Sequence, residues 1–386
     1  MKSLICRIIH PRIVGICTAL TICAMPVTQP VFAAAAGKPT IAHGTIVTDK
    51  GDLLRGCCAH ISAGVTAEIR SFFTIKDNVI KLRDQAHMNV IRICVLTPKW
   101  GGFTDINQTT SYVDAIVANC EAAGIYAIVN YHGELVEDGV SSMDFNKFWE
   151  FYSPRYKDKS FVIYEIENEI FQCVTATTVN DWPIAPEASR YKMIRRNAPN
   201  NMITGFVEPV GVVCAEGPAI KDIFAQAAGI DWNANDAVWA WHAYIGMDEK
   251  PLLDTRAYGL PVFCTEFSYV EEGWSVANLG GYNNVGRWCE EKGISWIVWQ
   301  QWQKREPDQL KSVMAYSVER AQREGWTWWT STATAPATKP AAALRKVDFL
   351  SPAATTVLIN GRVIKASAAS PEKPRLSILP GAMNNR

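Results

Sequence analysis

The chain has 386 residues, 48% of them hydrophobic, with 14 tryptophans, and it carries 38 basic against 38 acidic side chains. That is ample material for one large core and excludes a chain disordered throughout. No basic or acidic block stands out along it, so the charge pattern points away from nucleic acid or an anionic membrane surface and towards a neutral polymer or small molecule.

The N-terminal segment combines a basic start (Lys2, Arg7, Arg12), an apolar stretch over 13–27 and a small-residue site at Val31-Phe32-Ala33. This is the layout of a secretory signal peptide over residues 1–33. The apolar stretch contains Pro26 and is shorter than the roughly 20 residues a membrane-spanning helix needs. A secreted or periplasmic protein, without membrane attachment after cleavage, is expected. Cleavage would remove Cys6, Cys17 and Cys23 and leave Cys57, Cys58, Cys94, Cys120, Cys173, Cys214, Cys264 and Cys289. An even number permits disulfides in an oxidising compartment but does not fix their pairing. Cys94 and Cys264 lie inside apolar runs and read as free core thiols. There is no Cys-x-x-Cys or His-x-x-x-His pair to support a zinc site, and no metal or other cofactor is expected.

From residue 53 to residue 302 short apolar runs alternate with longer amphipathic segments. The runs are "LLRGCCAHI" (53–61), "NVIRICVL" (89–96), "IYAIVNYHG" (125–133), "FVIYEIENEIF" (161–171), "NMITGFVEP" (201–209), "AVWAWHAYIG" (237–246), "PVFCTEFSYV" (261–270) and "ISWIVWQQW" (294–302). Segments such as "DNVIKLRDQAH" and "TSYVDAIVANCEAAG" between them read as helices, the second capped at Gly124. Eight near-continuous apolar strands, each followed by a helix, predict an α/β protein with a (β/α)8 TIM barrel as its single catalytic domain, over residues 34–330. An open doubly wound sheet is disfavoured, because no Gly-x-Gly-x-x-Gly follows the first strand. A Thr/Ala/Pro-rich linker follows over 331–345, and then a short tail, 346–386, in which "TTVLINGRVI" suggests a hairpin about Asn360-Gly361.

Polar residues gather near the C-terminal ends of these runs: Arg92, His132, Asn168 and Glu169, His242 and Tyr244, Glu266, and Trp299. In a barrel those ends open on one face, where active sites are built. A period of two puts His242 and Tyr244 on one face of their strand, with Trp239 and Trp241 on the other. Asn168 and Glu169 are adjacent, so both reach the cavity only if their strand ends or bulges there. Glu165, lower in the same run, is expected to pair with a cation on a neighbouring strand. Two carboxylates at a barrel mouth suggest glycoside hydrolysis, in which one must be protonated to release the leaving oxygen and the other ionised.

This set resembles glycoside hydrolase family 5, the cellulase-type retaining glycosidases. Asn168-Glu169 match the family's Asn-Glu pair on the fourth barrel strand, and Glu266 in "PVFCTEF" its glutamate on the seventh. The resemblance implies Glu266 as nucleophile, Glu169 as acid/base and Asn168 as donor to the sugar 2-hydroxyl. Arg92 and Tyr244 would orient Glu266, His132 and His242 would bind sugar hydroxyls or the nucleophile, and Trp299 would stack under the sugar. It departs from the family pattern at Ile170, where Pro is usual, at Asn130, where Asp is usual two before the histidine, and at Glu167, where a small or apolar residue is usual. The resemblance further implies a β-linked polysaccharide substrate, a β-1,4-glucan first and mannan or another hemicellulose next. An oligosaccharide-specific exo-enzyme or a transglycosidase of the same family is an alternative; a non-catalytic carbohydrate-binding protein would be expected to lose one glutamate, and both are present. A monomer is expected. Trp100, Trp182, Trp274, Trp302, Trp326, Trp328 and Trp329 are candidate stacking platforms for sugar rings.

Overall fold

The structure is a computed structural model and describes residues 35–133, 143–169, 184–208, 225–232, 237–243, 250–267, 285–299, 308–323, 325, 356–359, 362–366 and 376–378. Tyr244, the signal-peptide segment, Cys173, Cys214 and the tryptophans from Trp302 onward, with Trp182 and Trp274, lie outside the described residues.

A short antiparallel hairpin, β1 (Thr40–Ala42) and β2 (Thr45–Val47), precedes eight parallel strands. These are β3 (Arg55–Ile61), β4 (Val90–Leu96), β5 (Tyr126–His132), β6 (Val162–Glu165), β7 (Ile203–Glu208), β8 (Ala237–Ala243), β9 (Val262–Phe267) and β10 (Trp296–Val298). Each pairs with the next, and β10 returns to pair with β3, so the sheet closes. All seven positions of β3, β4 and β5 are buried, because in a closed barrel one face meets the interior and the other the helical layer. The continuous apolar runs of the sequence are the signature of that double burial.

The helices between strands obey local rules. The helix Asn107–Ala123 stops at Gly124, whose φ of 69° is left-handed and whose N–H closes onto the carbonyls of Cys120 and Glu121; a residue with a Cβ would be strained there. The helix Lys76–Ala86 ends instead on His87 at φ 53°, whose N–H bonds the Leu82 carbonyl.

The bottom of the barrel is closed by the hairpin. The Thr45 hydroxyl donates to the Val262 carbonyl at 2.7 Å, and the Ser295 hydroxyl to that of Ile46 at 2.5 Å. With the floor sealed, the opposite face is left for the site. The six described cysteines, Cys57, Cys58, Cys94, Cys120, Cys264 and Cys289, are buried thiols outside any disulfide, as expected for Cys94 and Cys264.

Residues 335–386 form a separate compact unit. It contains an antiparallel sheet of β11 (Thr356–Ile359), β12 (Arg362–Ala366) and β13 (Leu376–Ile378). Within it Ile359 on β11 opposes Arg362 on β12, while Asn360-Gly361 lie outside the described residues.

Candidate active site

Arg92 sits on β4, fully buried, and its guanidinium is divided among three acceptors. Nε donates to Glu165 Oε2 at 2.6 Å, Nη1 to Glu266 Oε2 at 2.6 Å and Nη2 to Asn168 Oδ1 at 3.0 Å. Inward side chains of alternate barrel strands share a layer, which is why Arg92 on β4 meets Glu165 on β6 across the intervening β5. Glu165 therefore does pair with a cation, one strand further away than the nearest neighbour. Burial opposes the charge on Arg92, yet the nearby carboxylates of Glu165 and Glu266 hold its pKa well above the ordinary value.

The fourth barrel strand ends at Glu165, four residues before Glu169. Ile166 still holds the sheet, its N–H bonding the Thr204 carbonyl at 2.9 Å and its carbonyl accepting from Trp149 Nε1 at 2.8 Å. Beyond it the chain leaves strand geometry, and both Asn168 and Glu169 join the site, as adjacency required. Arg92 engages the carbonyl end of the Asn168 amide, which fixes the flip of that amide and leaves its NH2 as the donor end.

His242, next to last in β8, is completely buried, with Nδ1 2.7 Å from Glu169 Oε1 and Nε2 3.2 Å from Thr265 Oγ1. Its Nε2 is 3.9 Å from Glu266 Oε2, so the ring bonds the other glutamate of the pair and only approaches Glu266. Burial, with Glu266 opposing and Arg92 reinforcing, pushes the His242 pKa down to about 4. The ring is neutral at neutral pH.

His132, last in β5, places Nδ1 2.9 Å from Asn130 Oδ1. A carbonyl oxygen only accepts, so Nδ1 carries the proton and Nε2 is left as an acceptor. Burial, then the charge of Arg92, holds the His132 pKa well below its usual value. The departure at Asn130 fits this: an amide orients the ring without the negative charge that would favour imidazolium. The His132 ring stacks on Trp299 at 5.1 Å and 12°, and His60 meets Trp299 edge-on at 4.5 Å.

Seven of the eight residues singled out from sequence are thus brought to one face, and the eighth, Tyr244, lies outside the described residues. Glu167, immediately before Asn168 in the segment that follows β6, is buried. The structure adds two residues to the site. His60, next to last in β3, carried a signal in the sequence as a polar residue late in an apolar run. Thr265 carried none, because alternation points it away from Glu266. The register slips beside it, with Trp241 opposite Cys264 but His242 opposite Glu266, and this bulge turns both residues towards His242.

Among the described residues, Glu169, His242 and Glu266 form the one group of three potential metal donors, their ligand atoms all within 4.8 Å of one another. A divalent cation there would stand against the Arg92 guanidinium, which already occupies Glu266. The set suits proton transfer and carboxylate nucleophilic chemistry better than coordination.

A (β/α)8 barrel with paired glutamates at its C-terminal mouth defines a glycoside hydrolase. The chain belongs to the cellulase family, glycosyl hydrolase family 5, which matches residues 54–305. Endoglucanase Z of Dickeya dadantii is 24% identical over 220 residues, 56% of this chain and 46% of that protein; the chain thus spans about half the length of this curated relative. Among solved structures, a β-glucanase from Saccharophagus degradans in complex with cellotetraose is 17% identical, with a TM-score of 0.53 over 69% of this chain and 85% of its own. The catalytic domain of a Thermobifida fusca endoglucanase is 20% identical, with a TM-score of 0.50 over 68% and 84%. These likenesses show the barrel fold.

Proposed function

We propose that this chain is an exported, retaining β-glycosidase acting on a β-1,4-glucan, with Glu266 as nucleophile and Glu169 as acid/base. The observation that carries this reading is the closeness of the two carboxylates, whose oxygens lie within 4.8 Å. Retaining enzymes need about 5 Å, whereas inverting ones separate their carboxyls by roughly 6.5–9.5 Å to admit a water. Glu266, held by a donor that never accepts, is positioned to attack the anomeric carbon while Glu169 protonates the leaving oxygen. Glu169 then activates water to release the sugar from Glu266.

The neighbouring groups fit the same sugar-binding role. Asn168 offers its NH2 to the 2-hydroxyl, His132 accepts from a hydroxyl through Nε2, and Trp299, backed by His132, offers the platform. The endoglucanase relative and the neighbour solved with cellotetraose support a glucan over a mannan. Export rests on the basic and apolar start of the sequence.

The test is the release of reducing ends from soluble glucans, mannans and xylans by the wild type and by Glu266→Gln. A β-1,4-glucan should be cleaved by the wild type, and the variant should lose about three or more powers of ten in rate. A variant as active as the wild type would remove Glu266 from the chemistry; cleavage of mannan in place of glucan would move the substrate.

A further inference from the structure

The bulge in β9 places Thr265 in the site with no role assigned to it. Its hydroxyl meets Nε2 of His242 at 3.2 Å, on the far side of the ring from Glu169, which meets Nδ1 at 2.7 Å. His242 has no solvent exposure, so these protein groups decide where its single ring proton sits. The charged and titratable groups around it are Glu169 and Glu165 from the β6 segment, Glu266 from β9, Arg92 from β4 and His132 from β5.

We infer that Thr265 is a positioning residue which sets the tautomer of His242 and through it the proton state of Glu169. A neutral imidazole donates from one nitrogen and accepts at the other. When Glu169 is ionised, Nδ1–H must donate to it, and Nε2 then needs a donor. Glu266, occupied by the Arg92 guanidinium, offers only an acceptor, so the Thr265 hydroxyl fills the place. When Glu169 is protonated the ring reverses, Nδ1 accepting and Nε2–H donating, and the same hydroxyl turns to accept. A hydroxyl suits both states; a carboxylate or an apolar side chain suits one or neither.

Removing the hydroxyl leaves Nε2 facing only the Glu266 oxygen at 3.9 Å. That favours Nε2–H, turns the Nδ1 lone pair on Glu169 and drives Glu169 towards its protonated form. This inference rests on Glu169 being the acid/base, and the experiment separates the two. Profiles of kcat/KM against pH on a soluble β-glucan would be recorded for the wild type, Thr265→Val, Thr265→Ser and Glu169→Gln.

The alkaline limb should move up by about one pH unit in Thr265→Val, and Thr265→Ser should restore the wild-type limb. Loss of the limb in Glu169→Gln would assign it to Glu169. An unmoved limb in Thr265→Val, with the limb lost in Glu169→Gln, would overturn the role of Thr265 alone; a limb retained in Glu169→Gln would overturn the acid/base assignment beneath it. Should Thr265→Val not fold, the ring nitrogen shifts of His242 in the 15N-labelled wild type decide the matter. Above the alkaline limb they should report Nδ1–H, and Nε2–H there would contradict the inference.

Discussion

Two buried arginines, one at the floor of the barrel and one at its mouth, use the same fork in opposite ways. Arg55, first in β3, commits its fork to Glu290, with Nε at 2.5 Å from Oε1 and Nη2 at 2.9 Å from Oε2, and Trp296 Nε1 also donates to that carboxylate. Arg92 gives each of its three nitrogens to a different residue, one of them the candidate nucleophile. A bidentate pair spends its geometry on holding two elements together. A divided guanidinium instead fixes the relative positions of three groups that must act in concert, and its loss should be felt in the chemistry.

The largest effect should come from breaking the mouth network. Arg92→Met should lower kcat/KM by on the order of 10²–10³, and the Glu165 carboxylate left buried should cost about 3–5 kcal/mol of stability in denaturant unfolding. Arg55→Met sharpens the contrast. It should cost about 1–3 kcal/mol while kcat/KM per folded molecule stays at the wild-type value; an equal loss of rate in both variants would erase the distinction.

Acid sensitivity should separate the same two regions. The folded-state pKa of His242 lies at about 4, below the 6.5 of an exposed histidine, so the unfolded chain takes up a proton that the folded one refuses. The stability held above pH 6.5 is then lost as pH falls towards 4, by about 3 kcal/mol from this group. His132, also depressed, adds to the loss in the same direction. Melting temperatures from pH 7 to 4 should fall less steeply in His242→Asn than in the wild type, and an unchanged slope would place the acid sensitivity elsewhere.

The smallest effect belongs to the rim. Trp100 stands 42% exposed in the loop after β4, a loop pinned by the Gly102 N–H on the Thr97 carbonyl and by the Ser62 hydroxyl on that of Gly101. A Cβ on Gly102 would come within 1.7 Å of the Leu96 carbonyl oxygen, so only glycine allows that close fold-back. Trp100→Ala should raise KM for long glucans roughly 2- to 10-fold and leave short substrates unaffected.

The barrel was legible because its strands are buried on both faces, and eight runs such as "VIRICVL" alternate with helical segments. The site was legible where it consists of polar residues late in such runs, as for His132, His242 and Glu266. Alternation could say that Asn168 and Glu169 require a broken strand but could not find the break at Glu165. It gave no sign of Thr265, since a bulge is a slip of register between two strands and leaves no mark in either one's pattern. The exchange of Asp for Asn130 was visible in sequence, and its consequence, a neutral His132 with a fixed tautomer, needed the contact distance.

The central assignment, Glu266 as the nucleophile held by Arg92, is most directly tested by covalent trapping. The wild type would be incubated with a 2-deoxy-2-fluoro cello-oligosaccharide bearing a good leaving group, and its mass and peptide map recorded. One sugar per chain, carried on Glu266, is the expected result. An enzyme that cleaves β-glucan yet stays unlabelled, or carries the sugar on another residue, would contradict it.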